Sequence, residues 1–114
     1  MAVNIGEVSI LKDTKADKEQ AKKILEEAAE VFGAWQEFDR GKGTEGALLS
    51  ECADLIQATS NILGALGVKD FSGYMESCKC RNKARGRVYE DVKKPKQKHI
   101  GPCVQMVIYD ELIQ

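Results

Sequence analysis

Glu27 and Glu30 stand three residues apart in the run Glu26-Glu27-Ala28-Ala29-Glu30, and Glu51 and Asp54 repeat that spacing in Glu51-Cys52-Ala53-Asp54. In a helix this spacing puts both carboxylates of a pair on one face, about one turn apart. Each pair borders an apolar stripe, where an acid loses water once the stripe is covered. Four carboxylates brought together from two packed helices repel one another unless a cation sits among them. Mg²⁺ suits such a set, because it binds through carboxylates, keeps several waters and accepts substrate phosphates. Glu27, Glu30, Glu51 and Asp54 are therefore the candidate metal ligands, and Mg²⁺ the candidate ion.

Two helices must carry these pairs. Asp17 with Gln20 three residues later marks the start of the first. Its apolar residues Ala21, Ile24, Leu25, Ala28, Val31, Phe32, Trp35 and Phe38 keep a helical period until Gly41-Lys42-Gly43. The second begins near Thr44, carries Leu48, Cys52, Leu55, Ile56, Ile62 and Leu63, and ends at Gly67. A third runs from Asp70 or Ser72 to about Gly86, with Phe71, Tyr74, Met75 and Cys78 expected to be buried. The short connection makes the first two helices antiparallel neighbours. At about 100° per residue Glu27 projects beside Ile24 and Val31, while Glu30 lies further toward the polar side. Glu51 falls between Leu48 and Leu55, with Asp54 one step outward. Antiparallel packing could then bring both pairs to one rim.

The expected fold is all-α, an antiparallel helical bundle. Residues 1–16 read as an N-terminal arm, 17–90 as the helical domain and 91–114 as a C-terminal loop. Within that last segment Lys93-Lys94-Pro95-Lys96-Gln97-Lys98 is polar and carries a proline. Val104-Gln105-Met106-Val107-Ile108-Tyr109 is β-prone and could pair with the arm as a short β element from the termini. A few short amphipathic helices bury little apolar area, so subunits are expected to complete the bundle by association.

The whole chain narrows the function classes. Its 114 residues make one domain, and its formal net charge of −1 argues against a nucleic-acid binder. No apolar run approaches the roughly 20 residues of a membrane span. The first residues lack the basic region and long apolar stretch of a signal peptide, so the chain is expected to be cytoplasmic. The four cysteines are Cys52, Cys78, Cys80 and Cys103. Cys78, Cys80, Cys103 and His99 could hold zinc, but their spacing is not a zinc pattern, and reduced thiols are the expectation.

The arrangement Glu27-Ala-Ala-Glu30 followed by Glu51-Cys-Ala-Asp54 resembles that of the MazG-like all-α nucleoside triphosphate pyrophosphohydrolases. The segment Cys80-Arg81-Asn82-Lys83-Ala84-Arg85-Gly86 is similar to the family's later helix, where an asparagine and basic residues face the nucleotide. The resemblance covers about residues 17 to 90. It implies that Glu27, Glu30, Glu51 and Asp54 coordinate Mg²⁺, which would bridge a triphosphate and activate a water for attack on phosphorus. Products would be a nucleoside monophosphate and pyrophosphate. One of the four carboxylates could act instead as the general base. Asn82 would hydrogen-bond sugar or phosphate, with Lys83 and Arg85 as cationic partners. Trp35 could stack on a base, or pack in the core or at a subunit interface. The resemblance also implies a homodimer or homotetramer.

Two other readings compete. A di-iron carboxylate bundle wants Glu-x-x-His pairs, and His99 is the only histidine. A non-enzymatic helical interaction or nucleic-acid-binding module could use the cations at 79–87, where a solvated face is the simpler account. Asn61, seven residues after Asp54, could touch substrate or metal-bound water, or bridge helices.

Overall fold

Asp17 and Thr44 set where the two long helices begin. The Asp17 Oδ1 accepts the backbone N–H of Gln20 at 3.0 Å, and Thr44 Oγ1 accepts that of Ala47 at 3.0 Å. Both residues are extended, as an N-cap must be. From these caps α1 runs Lys18–Asp39 and α2 Glu45–Ala65, and α3 follows at Ser72–Ala84. The structure, a computed structural model, describes residues 1–88. All three helices end alike. The N–H groups of Lys42, Val68 and Arg87 reach back to the carbonyls of Glu37, Leu63 and Asn82, each at 2.9 Å. Gly41, Gly67 and Gly86 supply the left-handed residue that this ending requires. Thr44→Ala should cost about 1 kcal/mol, a fall in Tm of about 4–8 °C in a domain this small. Thermal denaturation reads it, and an unchanged Tm would mean that the cap contributes nothing.

The connection at residues 40–44 returns the chain along α1, and the two helices pack antiparallel. Gln20 near the start of α1 donates its Nε2 to the Ala58 carbonyl at 3.1 Å, while Glu30, further along α1, meets Glu51, nearer the start of α2. Among the described residues, Ala58 is the only buried hydrophobic one. The apolar stripe expected to form a core stays open: Leu25 is 70%, Phe32 58% and Trp35 47% exposed. Two helices in contact cover only one sector of each other, and the remaining apolar surface needs a further layer.

The arm takes no strand conformation over the described residues. Its residues 9–11 lie along α2 instead. The Ser9 carbonyl accepts Gln57 Nε2 at 2.8 Å, and the Leu11 N–H donates to Asn61 Oδ1 at 3.3 Å. Asn61 is buried and also accepts from Gln57 at 2.8 Å, so it bridges arm and helix. The β-prone residues 104–109 and the C-terminal loop lie outside the described residues.

Gly6–Lys69 forms one compact unit, and Met1–Ile5 falls in a second with Asp70 onward, which contains α3. In that second unit Asp70 Oδ1 accepts the Ser72 N–H at 2.9 Å just ahead of α3. The buried Ser77 Oγ accepts from Arg81 at 2.6 Å, and the Phe71 and Tyr74 rings stack at 5.5 Å. Phe71 and Met75 are exposed, contrary to the expected burial, because a helix with so small an apolar face covers few of its own residues. Cys52 and Cys78 are free thiols. Cys103 and His99, two of the zinc candidates, lie outside the described residues. No helix of the described residues is long and apolar enough to cross a membrane.

Candidate metal centre

The antiparallel register lays the Glu27 turn of α1 against the Glu51 turn of α2. Glu27, Glu51 and Asp54 each present a carboxylate oxygen, and the three oxygens lie within 4.8 Å of one another. A hard cation held by oxygens at about 2.0–2.6 Å spans roughly 4–5 Å between opposite ligands. The three carboxylates therefore have the spacing to hold a metal ion. Glu30 stands beside them, close enough for its carboxylate to act on that of Glu51. Glu27 is buried, Glu51 half-buried, and Glu30 and Asp54 exposed, so the cluster has an inner and an outer side.

Glu51 carries the electrostatic tension of this group. Its Oε2 is sealed from solvent within the chain and meets no donor. Its carboxyl is held above its ordinary value of 4.5. Burial is the first cause, because it strips water from the charged form. The hydrogen bond and charge of Glu30 come next, followed by the charges of Asp54 and Glu27. A buried oxygen facing three other carboxylates is the environment that a bound cation relieves. The donor set is all oxygen, which suits a hard divalent ion and not a soft one.

Lys23 is the one cation the structure sets against this cluster in Gly6–Lys69. Its Nζ lies 3.3 Å from Glu27 Oε1 and 4.0 Å from Glu26. The Glu27 hydrogen bond and charge hold the ammonium above its ordinary 10.5. Sequence reading passed over Lys23, although its place four residues before Glu27 is a standard helical ion-pair spacing. From Glu27 and Asp54 an open groove of about 640 Å³ extends past Lys23, Gln57 and Asn61 to residues 11–15 of the arm. Nothing in the sequence pattern pointed to the arm as a wall of that groove.

The other candidate residues sit elsewhere. Trp35 does not line the groove; it stacks on Phe32, ring centroids 6.0 Å apart, along the open stripe of α1. Asn82, Lys83 and Arg85 belong to the second unit. There Asn82 donates to Cys78 Sγ at 3.6 Å, Lys83 lies exposed in the last turn of α3, and Arg85 caps it. Comparison with family models, with curated proteins and with solved structures finds no match to this chain.

Proposed function

We propose that this protein is a Mg²⁺-dependent nucleoside triphosphate pyrophosphohydrolase, converting a (d)NTP to (d)NMP and pyrophosphate. The observation that carries the reading is the Glu51 oxygen, buried without a donor inside a set of carboxylates spaced for a metal. Such a group is costly unless a ligand compensates it. The resemblance in sequence supplies the substrate class. Glu27, Glu51 and Asp54 would hold the ion, which polarises the phosphates and lowers the pKa of a bound water. Glu30 sits beside Glu51, where a carboxylate can take the proton that the attacking water releases. Water attack breaks one phosphoanhydride bond, and pyrophosphate leaves. The roles of Asn82, Lys83 and Arg85 as nucleotide ligands belong to the same proposal.

Self-association is the second part of it. The open stripe of Leu25, Phe32 and Trp35 is what a second copy of this chain would cover in a homodimer or homotetramer.

The test is pyrophosphate release over a panel of normal and modified NTPs and dNTPs, with Mg²⁺ and with EDTA. Release from some substrates with Mg²⁺ and none with EDTA is the expected result. Silence across the panel, in a folded protein that binds no divalent cation, would remove the enzyme reading and leave a helical interaction module.

A further inference from the structure

The arm is fixed to α2 at three successive residues. Ser9 and Leu11 are tied by their backbones to Gln57 and Asn61. Between them Ile10 lies on Gly64, where a Cβ would stand 2.6 Å from both Cγ1 and Cγ2 of Ile10. Carbon atoms in good contact lie about 3.5–4.0 Å apart, so only a residue without a side chain admits Ile10 here. Glycine inside a helix is less favourable than alanine, and at residue 64 that cost coincides with the seat of the arm. Past Ile10 the chain turns at Asp13, whose φ is 60°. Residues 11–15 then form one wall of the groove that begins at Glu27 and Asp54.

Charge divides this groove into two ends. The metal end is acidic, and its one lysine, Lys23, is paired with Glu27. At the arm end Lys12 and Lys15 share the lining with Asp13, Asp17 and Glu19, and Asp17 also caps α1. Two lysines against three carboxylates leave this end with no excess of positive charge. A wall with no excess of positive charge, rich in donors and acceptors, gives phosphate no advantage and admits an uncharged polar group.

We propose that residues 11–15, positioned by Ile10 on Gly64, are the subsite for the uncharged part of the substrate. For a nucleotide this is the sugar and base, lying under the arm while the metal holds the phosphates. The arm is then the specificity-determining element of a site whose chemistry lies on α1 and α2. The inference rests on the nucleotide reading given above.

Calorimetry on the full chain separates the two. The probes are Mg²⁺ alone, inorganic tripolyphosphate with Mg²⁺, and the α,β-imido analogues of several nucleoside triphosphates with and without Mg²⁺. The expected result is that one or more analogues bind about tenfold or more tightly than tripolyphosphate, a difference of about 1.4 kcal/mol. Gly64→Ala and Ile10→Gly, which unseat the arm from opposite sides, should abolish that advantage. Both should leave Mg²⁺ and tripolyphosphate binding as they were, with helicity confirmed by circular dichroism. An advantage that survives in Ile10→Gly overturns the proposal. A parent protein that binds Mg²⁺ and tripolyphosphate but gains nothing from the nucleoside also overturns it and leaves the metal reading standing. An advantage present without Mg²⁺ and lost in both variants upholds the arm and removes the metal. A parent that binds none of the probes removes both.

Discussion

Glu51→Gln should make the metal-free protein more stable and remove the stabilisation and activity that Mg²⁺ confers. The two effects have opposite signs and one cause. In the metal-free protein Glu51 is a carboxyl held above its ordinary 4.5, chiefly by burial and then by Glu30. Below about pH 4, under the ordinary carboxylate value, it is protonated in both the folded and the unfolded chain. As pH rises, the unfolded chain releases this proton first while the folded chain still holds it. The folded state therefore binds more protons, and stability falls with pH until the raised value is passed. Glutamine keeps the shape and removes the charge, so this downward slope should flatten and the metal-free Tm at neutral pH should rise by a few degrees. Mg²⁺ at a hundred times its Kd should stabilise the parent by about 2.7 kcal/mol, by linkage, and should do nothing for the variant. Pyrophosphate release should fall by at least about a hundredfold, since a ligand of the activating metal is lost. Thermal melts against pH, with Mg²⁺ and with EDTA, read the stability effects. A variant less stable than the parent without metal would mean that the Glu51 carboxylate is satisfied by some donor, and the metal centre would lose its main support.

Phe32→Asp should break the proposed association of subunits and, with it, the fold of the helical hairpin. Phe32 is 58% exposed and stacks on Trp35, and Leu25 lies one helical repeat before it on the same face. With Ala58 as the only buried hydrophobic among the described residues, the hairpin has almost no core of its own. Covering a large apolar side chain contributes about 1.5–3 kcal/mol. In a two-fold interface each such residue counts twice. An aspartate at the centre of that surface would be a buried charge without a partner. Sedimentation should show the parent as a dimer or tetramer and the variant as a smaller species, with helicity that depends on protein concentration. A parent that sediments as a folded monomer would refute self-association, and an unaffected variant would move the interface away from this stripe.

The helices were legible in the sequence because their signals are local. Asp17 and Thr44 cap their helices by bonding an N–H three residues on. Gly41, Gly67 and Gly86 end them because glycine enters the left-handed region at low cost. The three-residue spacing of the acids likewise fixes that each pair shares a face, whatever the helix packs on. Periodicity, however, says which face is apolar and not what covers it. Leu25, Phe32 and Trp35 read as core, and they lie open in the single chain.

Helical phase alone set Glu27 and Glu51 toward the apolar stripes and Glu30 and Asp54 outward, as their burial bears out. Which carboxylate meets which came from the packing of α1 on α2. Their register decides that Glu27, Glu51 and Asp54 converge, that the Glu51 Oε2 is left without a donor, and that Glu30 comes beside Glu51. The arm over Gly64 is a contact across more than fifty residues, and no local pattern encodes it. Acid identity and spacing are properties of one helix, fixed by its own backbone hydrogen bonds. Burial and charge coupling are properties of two surfaces in contact, and a shift of one turn in their register would reassign both.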